Sequence, residues 1–163
     1  FARGGGLELA LSHDIRIAAR GKFKFMQMEV GKGNMTCGGG ASRMARQTGL
    51  GRALEIILSA RDFDADEAEA MGTINKALEP DEIGPYVDAL AQRIARFPAQ
   101  SINACKQMVY ESIDKPIDDA LKAEAYWLYQ ATSRIADEQG LEHDIENQRN
   151  WNELVMKVQE IGA

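Results

Sequence analysis

Three consecutive glycines near the start of the chain, Gly4, Gly5 and Gly6, lead directly into a helix-forming apolar run at residues 7–11. Glycine has no side chain, so the turn can be tight and the first N–H groups of the helix stay uncovered. Such N–H groups favour negative charge, either a bound anion or an oxyanion that develops during a reaction. The alternative is a close-packed turn, which is the commonest use of adjacent glycines.

Two carboxylates accompany the glycine-rich stretches. Glu8 lies in the first turn of the predicted helix, where the helix dipole keeps it ionised, as a general base requires. Glu29 precedes a second glycine-rich stretch and shares a predicted strand face with Phe23 and Phe25. Burial on that face would favour the protonated form that a general acid needs. Two acids in different environments suit acid/base catalysis, whereas a solvated Glu8 and an exposed Glu29 are the simpler alternatives.

Composition limits the partners and the compartment. The chain has 163 residues, a net charge of -6 and 45% hydrophobic residues, which suits one globular domain. An acidic chain lacks the basic face that nucleic acid requires, and no apolar run approaches the roughly 18 residues of a membrane span. Cys37 and Cys105 fit neither a disulfide framework nor a zinc site, so we expect no metal and a cytoplasmic location, with a mitochondrial one left open.

Other motifs give weaker signals. Ser12, His13 and Asp14 are sequence neighbours and cannot converge as a catalytic triad, so His13 is expected to be a packed or surface residue. Cys37 precedes three glycines but has no identifiable partner base, which favours a small hydrophobic role over a nucleophilic one.

Periodicity predicts an α/β half followed by a helical half. Asp64 and Glu67 have the spacing of a capping box, and Pro98 and Pro116 should separate helices. We predict two regions, residues 1–80 and 81–163. The predicted elements are strands at 15–19, 23–30 and 73–78, helices at 7–12, 41–47 and 52–59, a helix from the capping box to Gly72, and C-terminal helices ending with 141–161 around Trp151.

The ordered motifs from residue 1 to about residue 107 resemble the enoyl-CoA hydratase/isomerase (crotonase) superfamily. They are the run from Ala2 to Ala10, the segment 14–18, Phe25 with Glu29, Gly38 to Gly40 with Arg43, the segments 53–61 and 65–72, and Asn75. The resemblance implies a crotonase-like β-β-α spiral, of which this chain holds the last part. An all-helical C-terminal region that assembles a homotrimer or homohexamer would follow. Because the chain starts at Phe1 inside its own glycine motif, we expect it to be the C-terminal portion of a longer protein.

The resemblance also implies a chemistry. Gly5 matches the oxyanion-hole glycine, Glu8 would activate water, and Glu29 would deliver a proton. Gly4, Cys37 and Gly38 are the expected substrate-binding positions. The implied reaction is hydration of a 2-enoyl-CoA thioester, with an acyl-CoA as the partner and no cofactor, since coenzyme A belongs to the substrate.

Two departures from the family pattern keep alternatives open. Met28 stands where proline commonly precedes the second acid, and residues 34–37 replace a stretch that usually carries Pro-Gly. The alternatives are an enoyl-CoA isomerase, another acyl-CoA reaction on the same fold, and a non-catalytic scaffold.

Overall fold

The computed structural model describes the backbone of residues 1–139 and the side chains of residues 1–131. The chain divides into two compact units, Phe1–Leu90 and Ala91–Ala163. The predicted helix at residues 141–161 and its Trp151 lie outside the described residues. The functional division at residue 80 stays a prediction.

The first unit alternates short strands and helices. In chain order its elements are β1 (Ala2–Arg3), α1 (Gly5–Leu11), β2 (Ile17–Ala19), β3 (Phe25–Met26), a 3-10 helix (Val30–Lys32), α2 (Gly40–Thr48), α3 (Leu50–Ser59), α4 (Ala65–Ala70) and β4 (Lys76–Leu78), followed by the start of α5 (Ile83–Ala95). The predicted α/β character of this part of the chain is therefore present.

The four strands form two parallel pairs. β1 pairs with β3, with Ala2 opposite Phe25, and β2 pairs with β4, with Ala18 opposite Ala77. The first pairing fixes the position of the glycine run, because Gly4 follows β1 directly and its N–H donates to the carbonyl of Met26 at 2.9 Å.

The prediction of a long strand at 23–30 was wrong. The strand is limited to Phe25–Met26, and Glu29 is the N-cap residue directly before the 3-10 helix. The chain turns here because the carbonyl of Glu29 accepts the N–H groups of Lys32 and Asn34, and Gly33 takes a left-handed φ of 70°. The alternation of faces nonetheless persists, since Phe25 and Gln27 are both buried.

Phe25 anchors the apolar core behind the glycine run. Its ring stacks on Phe63 at 5.0 Å and on Phe23 at 5.9 Å, and its backbone exchanges hydrogen bonds with Phe63. Helix α1 packs on this core through Leu7 and Leu11, one turn apart on the same helix face. The core includes Leu7, Leu11, Ala18, Phe25, Met44, Ala53, Ile56, Phe63, Ala65, Ala68, Ile74 and Ala77. Because Leu7 is buried, its neighbour Glu8 is held at the edge of the core.

The capping box predicted for α4 is present. The side chain of Asp64 accepts the N–H of Glu67 at 3.0 Å, and the side chain of Glu67 accepts the N–H of Asp64 at 2.9 Å. These bonds satisfy two backbone donors at the helix start. Helix α4 thereby begins at the residue that the sequence indicates.

The second unit is helical in its described part. Helices α6 (Ala99–Ser112) and α7 (Ile117–Gln139) pack against each other, and their buried residues are Ala104 on α6 and Ala120 and Ala123 on α7. Pro98 and Pro116 each directly precede a helix, which confirms the predicted breaks. No helix in the described part of the chain has the length and apolarity needed to cross a membrane.

Candidate active site

Gly4 and Glu29 fit together at the start of α1. Gly4 has a φ of 51°, in the left-handed region, and it is buried. A Cβ built on Gly4 would lie 2.6 Å from Oε1 of Glu29, so the carboxyl group occupies the space that a side chain would need. Oε2 of Glu29 is buried and has no hydrogen-bond partner among the described residues. The absence of a side chain at Gly4 is therefore what lets the carboxyl group of Glu29 pack against the start of α1.

Gly5 lies near the carboxyl group of Glu8. It is the first residue of α1, it is exposed, and its N–H has no acceptor within the described part of the chain. A Cβ at Gly5 would lie 4.0 Å from Oε2 of Glu8. Glu29 thus packs against Gly4, and Glu8 lies near Gly5. The exposed Gly5 therefore follows a glycine that packs on one acid, and Gly5 itself lies near the other acid.

Glu8 is anchored through one of its two oxygens. Its Oε1 accepts the hydroxyl of Thr36 at 2.6 Å, the N–H of Gly38 at 2.8 Å and the N–H of Gly40 at 3.3 Å. These three donors come from the loop that the second glycine-rich stretch forms. All three of these bonds go to Oε1, while Oε2 lies beside Gly5 and Gly38.

The same contacts lower the pKa of Glu8 below its ordinary value of 4.5. The hydrogen bond from Thr36 is the largest cause, and partial burial acts in the opposite direction. The backbone N–H groups of Gly38, Gly40 and Cys37 add to the lowering, since each favours the ionised carboxylate. At neutral pH Glu8 is therefore a carboxylate, the form that accepts a proton.

The glycines of the second stretch make room for Glu8. A Cβ on Gly38 would overlap Oε2 of Glu8, and one on Gly40 would lie 2.8 Å from Oε1. Gly39 has a φ of 99°, and the side chain of Arg43 fills the space beside it while donating to the carbonyl of Gly38 at 3.1 Å. The run of three glycines thus lets the loop close over a carboxylate.

The predicted substrate-binding residues Gly4, Cys37 and Gly38 lie around this cluster. The N–H of Gly4 is taken by Met26, and the N–H of Gly38 is taken by Glu8. Cys37 is exposed, contrary to the expectation of a small buried hydrophobic residue. The exposure follows from its place in a loop between the buried Thr36 and the exposed Gly38. A substrate-binding role for the three positions stays a prediction.

The rejected triad is absent from the geometry. The hydroxyl of Ser12 and Nδ1 of His13 both lie within hydrogen-bond distance of the carbonyl of Leu9, at 2.6 Å and 2.9 Å. These are local contacts at the end of α1. A cavity of about 390 Å³ lies beside His13 and Phe23, but neither Glu8 nor Glu29 lines it. The cavity is therefore separate from the cluster around Glu8 and Glu29.

Sequence reasoning missed Thr36 and Gln27. Nε2 of Gln27 donates to Oγ1 of Thr36 at 3.2 Å, and Thr36 in turn bonds to Glu8. For Gln27 a signal was available, because the alternation of side chains along a strand puts it on the same buried face as Phe25. Within the described residues, no cluster of three or more histidine, cysteine or acidic side chains has the arrangement of a metal site.

Comparison with known proteins assigns the chain to a family. Residues 1–154 match the enoyl-CoA hydratase/isomerase family. A short-chain enoyl-CoA hydratase from Clostridium acetobutylicum is 38% identical over 77% of this chain and 48% of its own length. A crotonyl-CoA hydratase from Syntrophomonas wolfei is 39% identical, and the match likewise covers 77% of this chain and 48% of the relative's length. The chain thus spans about half the length of these curated relatives.

Solved structures agree with these relatives. Enoyl-CoA hydratase subunit I from Geobacillus kaustophilus superposes with a TM-score of 0.78 at 30% identity, covering 90% of this chain and 56% of its own. A candidate enoyl-CoA hydratase from Thermobifida fusca, solved with acetoacetyl-CoA, has a TM-score of 0.76 at 27% identity. The match covers 83% of this chain and 52% of that structure's chain. The chain belongs to the enoyl-CoA hydratase/isomerase family.

Proposed function

We propose that the complete protein hydrates a 2-enoyl-CoA thioester to a 3-hydroxyacyl-CoA. The observation that carries the proposal is the glycine pair at the start of α1, with Oε2 of Glu8 4.0 Å from a Cβ built on Gly5 and Glu29 packed against the neighbouring Gly4. Relatives named as enoyl-CoA hydratases and a neighbouring structure solved with acetoacetyl-CoA support the substrate class.

In the proposed reaction the N–H of Gly5 binds the thioester oxygen, which gains negative charge when water adds to the conjugated double bond. The lowered pKa of Glu8 supports its role as the base that removes a proton from water. The oxygen of that water forms a bond to the β-carbon while Glu29 gives its proton to the α-carbon. The atoms balance, because the product has gained one water molecule. Glu8 has then gained a proton and Glu29 has lost one, and exchange with solvent returns both carboxyl groups to their starting states.

The route requires no metal or redox cofactor, because coenzyme A is part of the substrate. We further propose a cytoplasmic enzyme of fatty acid metabolism that assembles as a homotrimer or homohexamer. The apolar stripe of Leu50, Leu54 and Leu58, exposed on α3 at intervals of four residues, supports the assembly. Light scattering of the complete protein measures its mass.

Turnover of crotonyl-CoA by the complete protein tests the proposal. Glu8→Gln and Glu29→Gln should each lower kcat by about 10²- to 10⁴-fold, the range for loss of an acid or base. Glu55→Gln, at an exposed position of α3, is the matched control and should leave kcat unchanged. Turnover that survives both active-site substitutions would contradict the two-acid mechanism, and no turnover with any acyl-CoA would favour a scaffold.

A further inference from the structure

We propose that Thr36 is a positioning residue for Glu8: its hydroxyl, oriented by Gln27, fixes one carboxylate oxygen so that the other faces the substrate. The inference rests on the proposed function of Glu8 as a base. It adds two side chains that are outside the pair of acids and the oxyanion glycine.

The hydroxyl of Thr36 has a single proton and two polar neighbours. Nε2 of Gln27 can only donate, and it lies 3.2 Å from Oγ1 of Thr36. Oγ1 therefore accepts from Gln27, and its own proton points to Oε1 of Glu8, 2.6 Å away. Gln27 is 1% exposed and Thr36 is 6% exposed, so water has little access to replace either bond.

The direction of the hydrogen bond from Thr36 to Glu8 matters because the terminal torsion angle of a glutamate side chain has a broad distribution. Three donors converge on Oε1 of Glu8, namely the hydroxyl of Thr36 and the N–H groups of Gly38 and Gly40. Thr36 makes the shortest of the three bonds. With Oε1 held, rotation of the carboxylate is restricted and Oε2 keeps its place beside Gly5.

Gly40 supplies the space for this arrangement. A Cβ at Gly40 would overlap Oγ1 of Thr36 and Nε2 of Gln27, and it would lie 2.8 Å from Oε1 of Glu8. Three polar side chains from three separate segments therefore meet at one glycine. Packing alone does not require such a convergence, since an apolar side chain at position 36 or 27 would avoid burying polar atoms.

The pH profile separates positioning from mere packing. The hydrogen bond from Thr36 is the largest cause of the lowered pKa of Glu8, so its removal should raise that pKa. A base with a higher pKa becomes protonated at a higher pH, and the acidic limb of kcat/KM should move to higher pH. A substitution that only loosened the loop would lower activity without moving this limb.

The experiment uses the complete protein and crotonyl-CoA. Thr36→Val preserves shape but removes the hydroxyl, and it should lower kcat by about tenfold or more and move the acidic limb upward. Thr36→Ser retains a hydroxyl and should restore both properties. Thr73→Val is the matched control, because Thr73 is also buried but its hydroxyl has no partner among the described residues. It should leave the profile unchanged.

An unmoved acidic limb in Thr36→Val, or an activity equal to that of the parent protein, would overturn the proposal. If Thr36→Val does not fold, Gln27→Met is used in its place, because it removes the donor that orients Thr36 and has a similar volume. The acidic limb of kcat/KM should then move to higher pH by a smaller amount. An unmoved limb in Gln27→Met would also overturn the proposal. Titration of the Glu8 carboxyl by carbon NMR gives a readout without turnover. An upward pKa shift in Thr36→Val supports positioning even if Glu8 is not the base, so the two proposals can fail separately.

Discussion

The carboxyl group of Glu29 occupies the space that a side chain on Gly4 would fill, with Oε1 only 2.6 Å from the position of that Cβ. We therefore expect Gly4→Ala to displace Glu29 and to lower kcat in the complete protein. The substitution also places a methyl group at a φ of 51° and a ψ of -126°, a backbone conformation that L residues rarely adopt, which costs about 1–3 kcal/mol of unfolding free energy. Urea unfolding and turnover of crotonyl-CoA measure the two effects.

Gly6→Ala is the matched control for this prediction. Nothing lies within 4 Å of a Cβ at Gly6, and the residue is inside α1. Alanine is favoured over glycine in a helix interior by about 0.5–1 kcal/mol, so stability should rise slightly. Equal losses of activity in both variants would show that the glycines serve only the flexibility of the turn.

A second prediction concerns the loop that binds Glu8. Gly38→Ala would place a Cβ on top of Oε2 of Glu8, so we expect the carboxylate to move and kcat to fall by about tenfold or more. Gly51→Ala, at an open position inside α3, should leave kcat unchanged. Steady-state kinetics on the complete protein compares the two. A fully active Gly38→Ala would mean that Oε2 is not the catalytic oxygen.

Much of this arrangement follows from local sequence. The glycine run that opens α1, the Asp64–Glu67 capping box and the prolines before α6 and α7 each act over a few residues, and the structure contains all of these local features. The strand predicted at 23–30 ended early because the carbonyl of Glu29 is used in a turn, which alternation of side chains cannot reveal.

The contacts of Glu8 could not be predicted in the same way. Thr36 and Gly38 are 28 and 30 residues from Glu8 in sequence, and they reach it only because a loop folds back over α1. Local periodicity contains no information about such a meeting. The glycine spacing indicated that a loop would approach something closely, but not which side chain it would enclose.

A third prediction concerns Thr73, whose buried hydroxyl has no hydrogen-bond partner among the described residues. A buried hydroxyl without a partner costs about 1–3 kcal/mol, and valine has nearly the same shape. Thr73→Val should therefore leave the free energy of unfolding unchanged or raise it by about 1 kcal/mol. Thr36→Val should lower it, because there the hydroxyl is bonded to Glu8. Urea denaturation of both variants measures their free energies of unfolding. A loss of stability in Thr73→Val would contradict the prediction and would mean that the hydroxyl of Thr73 has a hydrogen-bond partner.

The last prediction is a pH dependence of stability that belongs to Glu8. Its pKa is lowered in the folded protein from an ordinary value of 4.5, so the unfolded chain binds the proton more tightly than the folded one. The resulting stabilisation is fully present above that ordinary value and is lost as the pH falls through the lower pKa of the folded state. Glu8→Gln cannot titrate and lacks this contribution. Urea unfolding should therefore show a larger stability difference between parent and variant at about pH 7 than at about pH 3. A difference that stays constant over this range would mean that the donors from the loop do not favour the ionised form of Glu8.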